Sequence, residues 1–203
     1  MSRKTSRILF FSASICVVLS LLVFLASFTL FPKSVSATDA GPSFPSTAVV
    51  DTSIGTIAWT TPGNVTASDD AYATSNIEFS AATRYIKATN FGFSIPTGAT
   101  INGITVEWEV SKVGGGSAPI QDNAARIVKG GTIGSTDKSS GTAWTTTETF
   151  LSHGGSSDLW GETWTASDIN ASNFGAALSA INNAGSLNPT DIRVDSVRIT
   201  VSY

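Results

Sequence analysis

Cysteine is almost missing from this chain: Cys16 is the only one, and it lies within an apolar N-terminal stretch. No disulfide can form within one chain that has a single thiol, so the fold must rely on its core. Histidine is as scarce, with His153 alone. Together these absences remove thiol nucleophiles and Cys/His zinc sites from everything downstream of the N-terminal stretch. Charged residues make up only 13 % of the sequence. There is no long amphipathic helical pattern, which excludes a helical bundle.

What is present first is a charge-free run, Ile8–Phe31, preceded by Arg3, Lys4 and Arg7. As a helix it would be about 36 Å long, enough for a hydrocarbon core of about 30 Å. The basic residues hold the N-terminus on the cytoplasmic side, so the remainder is expected to be extracytoplasmic. Two readings of residues 1–37 stand side by side. Val35-Ser36-Ala37 offers the small residues of a signal-peptidase site, with release after Ala37. The length of the run and its Pro32-Lys33 closure suit a retained single-pass anchor instead. Cys16 does not fit a lipidated leader cysteine, because Ile15 stands where a small residue is needed and apolar residues follow. It reads as a small apolar residue of the helix.

The leader takes four of the 12 basic residues and none of the 15 acidic ones. Residues 38–203 therefore set eight lysines and arginines against 15 carboxylates, a net charge of −7. That balance argues against nucleic acid and against anionic membrane as partners, leaving residues 8–31 as the only membrane contact.

Thr38–Ser46 reads as a linker with Gly41, Pro42 and Pro45, and residues 47–203 as an all-β domain. Strand patterns fall at Thr47–Asp51, Ile54–Trp59, Ala71–Phe79, Thr83–Phe93, Ala99–Val113, Ala124–Lys129, Phe174–Ile181 and Ile192–Tyr203. The clearest has Ile104, Val106, Trp108 and Val110 on one face and Thr105, Glu107, Glu109 and Ser111 on a wet face. In the last strand parity flips at Asp195-Ser196, which predicts a β-bulge. Thr165 or Ser167 should cap a helical turn running through Asn173, and Trp144–Trp164 reads as an ordered loop or hairpin. Many short strands without a long helix predict an antiparallel β-sandwich, a jelly roll, behind one N-terminal hydrophobic helix.

Several stretches carry a resemblance. They are Ala88–Pro96, Ile101–Glu107, Val128–Gly131, Gly155–Gly161, Asp168–Gly175 and Val194–Tyr203. These resemble a family of poorly characterised exported and phage-associated β-sandwich domains found in surface, fibre and virion proteins. The resemblance implies structural or adhesive work and brings no catalytic residues.

Candidate chemistry is sparse. Glu107 and Glu109 lie at i and i+2 on one strand, whereas glycosidase carboxylates must straddle a sugar. His153 precedes Ser156, Ser157 and Asp158, but no Gly-x-Ser-x-Gly elbow accompanies them, and His153 reads as a loop residue. Asp69, Asp70, Asp158 and Asp168, with Asp195 as a further carboxylate, could feed a structural calcium, although no spacing matches an EF-hand. Trp144, Trp160 and Trp164 either stack on a ligand such as a sugar or plug the end of the sandwich. Asn64-Val65-Thr66 and Asn170-Ala171-Ser172 match the glycosylation sequon. The expectation is a non-enzymatic extracytoplasmic module, structural or adhesive, with a surface glycan or protein as partner. The alternative is a carbohydrate-binding module or, less favoured, a glycoside hydrolase. Fractionation of cells expressing the full chain should find it in the membrane or exported fraction; a purely cytosolic soluble product would contradict the leader assignment.

Overall fold

The computed structural model describes residues 38–114, 119–183 and 189–203. The expected hydrophobic helix over 8–31 lies outside the described residues, and no described helix is long and apolar enough to cross a membrane. Ala37–Tyr203 is one compact unit.

Two antiparallel sheets face each other across a shared core, as expected of a β-sandwich. Among the described residues ten strands supply them: β1 Asp39–Ser43, β2 Thr47–Asp51, β3 Ala73–Ile77, β4 Tyr85–Thr89, β5 Gly103–Lys112, β6 Ile120–Lys129, β7 Thr132–Ile133, β8 Thr149–Gly155, β9 Gly175–Asn182 and β10 Thr190–Ser202. The first sheet runs β1-β10-β5-β8, with β3 also on β10; the second runs β2-β4-β9-β6-β7. One helix, α1 Ala166–Asn170, follows β8, and a 3-10 turn spans Pro62–Val65.

The alternating face of β5 is buried as its sequence requires. Ile104, Val106, Trp108 and Val110 are at most 1 % exposed, so their apolar area is spent wholly on the core. They oppose Val201, Ile199, Val197 and Val194 of β10. The bulge expected from parity is present: the β5–β10 register slips between Val194 and Ser196, leaving Asp195 as the extra residue. From the second sheet, Ile86, Ile127 and Leu178 complete the core.

Four local expectations are corrected. The segment expected as a linker contains β1, which pairs with the end of β10. Gly41 and Pro42 hide it in the sequence, yet both suit an edge strand. Gly41 has φ +109°, and a Cβ there would lie 2.5 Å from the Ile199 carbonyl oxygen, so the close approach of β1 to β10 requires glycine. Ile54–Trp59 forms no strand; it touches the residues just before β4, through the bridge Ile57–Thr83 and the Trp59 Nε1 donation to the Arg84 carbonyl. His153 lies in a strand, β8, rather than in a loop. The helical turn ends at Asn170, short of Asn173, although its Thr165/Asp168 capping box forms as the pattern suggested.

The wet face of β5 is also drier than expected. Glu107 makes a two-pronged pair with Arg198, at 2.8 and 3.1 Å, and the guanidinium lies 3.8 Å over the Phe150 ring. Glu109 accepts from Ser196 Oγ at 2.8 Å. Cross-strand register, Arg198 opposite Glu107 and Phe150 opposite Glu109, brings these partners together.

Truncating Trp108 to alanine should cost about 3–5 kcal/mol, the range for large aromatic side chains in cores. Chemical denaturation followed by far-UV circular dichroism measures it; a loss below about 1 kcal/mol, typical of surface positions, would contradict the core assignment.

Candidate functional site

The bulge creates the most unusual chemistry in the molecule. One edge of β10 is paired with β3 over residues 190–194 and with β1 near residues 199–202. Between them the segment 61–72 fills the gap, through a bridge from Thr66 to Ser196. Asp195 is consequently only 2 % exposed and Ser196 fully buried. Asp70 from the covering segment, Glu148 from the approach to β8 and Asp195 then bring carboxylate oxygens within 4.8 Å of one another. Glu109 stands beside them.

This arrangement is electrostatically unfavourable as it stands. Neither Asp195 Oδ1 nor Glu148 Oε1 has a hydrogen-bond partner. Among the described residues no ion pair reaches Asp70, Glu148 or Asp195. Burial, then the charges of Glu109 and Glu148, push the Asp195 carboxyl up to about 6 against the lowering effect of the Asp69 N–H. Tyr72 Oη donates to Asp70 Oδ1 at 3.2 Å, and burial with the charges of Glu148 and Asp70 pushes its phenol up to about 12. The Arg193 guanidinium lies 4.8 Å over the Tyr72 ring.

The other acidic residues singled out in the sequence do not join this group. Asp69 folds back on the Ala71 amide, as an aspartate in a turn does. Asp158 receives the Trp160 amide and pairs with Lys138 at 2.8 Å, and the Lys138 bond lowers its carboxyl. Asp168 is occupied by the Thr165 capping box, which lowers it too, with Lys129 at 3.8 Å. Only Asp70 of the expected calcium set, together with Asp195, lies in the cluster. Glu148 carried no signal in the sequence, because its partners are remote along the chain.

The three tryptophans separate. Trp144 and Trp160 are 2 % and 1 % exposed, their indole N–H groups donating to Asp122 and to the Ile104 carbonyl. Neither ring has a free face on which a ligand could stack. Trp164 is half-buried, edge-on to Phe174 at 5.4 Å, with Lys129 Nζ 5.1 Å from its ring centre. It borders a groove of about 490 Å³ together with Ile101, Leu159, Thr100, Thr163 and Thr165.

His153 is 3 % exposed and faces inward beside Val106. Its Nδ1 meets the Lys138 carbonyl at 3.0 Å, and since a carbonyl only accepts, Nδ1 carries the hydrogen. Nε2 points at Asp122, 3.6 Å away, whose carboxylate already takes Trp144 and Ser140. The group links β6, β8 and the segment between them, and no reactant has access to the imidazole. Both sequon amides are engaged as well, Asn64 with the Tyr72 carbonyl and Asn170 with the Ile95 carbonyl.

No family model, curated protein or solved structure matches this chain.

The titration of Asp195 has a measurable consequence. A carboxyl raised to about 6 in the fold, against about 3.9 unfolded, binds more protons folded than unfolded between those values. Stability should therefore fall as pH rises from about 4 to about 6 in buffer free of divalent cations. The lowered carboxyls of Asp51, Asp158 and Asp168 act in the opposite sense but below that window, as pH drops under about 4. Thermal melts across this range should show the downward slope in the native sequence and a flatter profile in Asp195→Asn. Equal slopes in both proteins would contradict the assignment.

Proposed function

We propose that residues 38–203 form an extracytoplasmic, non-catalytic module, a structural or adhesive part of a cell-surface or virion assembly, tethered by or released from residues 1–37. The observation that supports this best is where the chemically capable side chains are spent. Glu107 holds Arg198, His153 is buried against Lys138 and Asp122, and Asp158 and Asp168 fix turns and a helix start. Each is engaged within the fold, and the one ring nitrogen without a hydrogen-bond partner, His153 Nε2, belongs to a side chain only 3 % exposed.

A jelly roll is the architecture we infer. Setting aside the edge strands β2 and β3, the remaining strands pair in nested order: β1 with β10, β4 with β9, β5 with β8 and β6 with β7. That nesting is what one long hairpin gives when it is rolled into two facing sheets, the double Greek key of jelly rolls. The architecture agrees with membership of the exported and phage-associated family that the quoted stretches resemble, and that membership is part of the proposal.

One observation favours the carbohydrate-binding alternative. The Trp164 groove combines an accessible ring with the hydroxyl-bearing Thr100, Thr163 and Thr165, the pairing of apolar face and polar rim that sugars require. A glycan array probed with the full-length chain in detergent decides between the two. The structural or adhesive reading expects no selective glycan signal, with self-association or capture of a protein partner instead. Selective binding lost in a folded Trp164→Ala variant would overturn it in favour of a glycan-binding module.

A further inference from the structure

We propose that Asp70, Glu148 and Asp195 together bind one calcium ion, pinning the segment 61–72 to β8 and to the bulge of β10. The three carboxylates arrive from separate parts of the chain, and their oxygens lie within 4.8 Å of one another. Calcium holds oxygens at about 2.3–2.6 Å, so ligands on opposite sides of it lie about 4.6–5.2 Å apart. The spacing is therefore that of oxygens sharing one ion.

The second observation is independent of clustering. Asp195 is 2 % exposed, and its Oδ1 has no hydrogen-bond partner; Glu148 Oε1 is buried and bare as well. A buried carboxylate oxygen normally finds a donor, since leaving it bare costs the desolvation of a charge. Here the surroundings supply more carboxylates: Asp70, Glu148 and, bonded to Ser196, Glu109. Arg193 stacks over the Tyr72 ring, and among the described residues no ion pair reaches any of the three. A cation from solution would satisfy Asp70, Glu148 and Asp195 at once.

Ligand chemistry selects the ion. An all-oxygen set without cysteine or histidine suits a hard cation and not zinc. Magnesium sheds its water reluctantly and demands octahedral geometry, whereas the bare oxygen of buried Asp195 needs direct contact. Asp70 is exposed, so water can complete the shell from the solvent side.

The test uses the full-length chain in detergent, stripped with EGTA and titrated with calcium chloride. Calorimetry should report one calcium per chain, and the melting temperature should rise by about 5–10 °C at a hundredfold excess over Kd. Magnesium at the same concentration should give a much smaller rise. Asp195→Asn should lose the calcium shift, yet melt no lower than the native sequence in EGTA, since a like charge is gone. A residue that merely held a hydrogen bond would be destabilised by that change under both conditions. Should Asp195→Asn not fold, Glu148→Gln should weaken calcium binding at least tenfold. Absence of binding and of any melting shift up to about 10 mM calcium, about tenfold above the weak end of about 1 mM expected of extracellular calcium modules, would overturn the proposal. So would a full calcium shift in Asp195→Asn, or unchanged affinity in Glu148→Gln.

Discussion

Strand β10 is the element on which the rest of this fold depends. One of its edges pairs with β5 along ten positions, and the other is shared by three separate segments, β3, the Thr66 bridge and β1. Those segments come from the first part of the domain while β10 ends it, so the pairing closes the chain on itself. In a domain without disulfides, that closure takes the place of a cross-link. The bulge against β5, at Asp195, coincides with the point where the opposite edge of β10 passes from β3 to the Thr66 bridge.

The two sheets leave two open sides, and loops close both. On one, segment 61–72 covers the β10 edge and inserts fully buried Val65 into the core. On the other, residues 134–144 run along β6, with Gly134, Lys138 and Trp144 donating to the Ile127, Ala125 and Ile120 carbonyls. There His153 and Asp122 reach across from the two sheets. Edge protection of this kind leaves few backbone groups to template another chain. The buried Asp195, Asp122 and His153 all lie at these closures.

How much of this was legible depended on whether the signal was local. Thr47–Asp51 reads as a strand and is one, the parity break at Asp195-Ser196 marks the bulge, and Thr165 with Asp168 marks the capping box. Each is a pattern written within a few residues. Strand β1 was hidden because Gly41 and Pro42 usually break strands, and only the pairing with β10 overrides that preference. Strand β8 was hidden by the glycines and tryptophans around it, and because Phe150 and Leu151 are both half-buried, blurring the alternation. The acidic cluster could not be read at all as a unit: Asp70, Glu148 and Asp195 meet only through the topology. Trp144 and Trp160 show the reverse limit, since sequence marks a tryptophan as valuable surface without saying whether that surface is inside.

The account's central claim is that segment 61–72 is an integral part of the β10 edge, and native-state hydrogen exchange tests it most directly. The Thr74 amide, which donates to the Thr60 carbonyl, and the amides of 61–72 that meet β10 should open in the same cooperative step as β10 itself, with a shared free energy of opening. Free exchange through 61–72 while β10 stays fully protected would contradict it, and would make the segment a surface loop laid over a strand that does not need it.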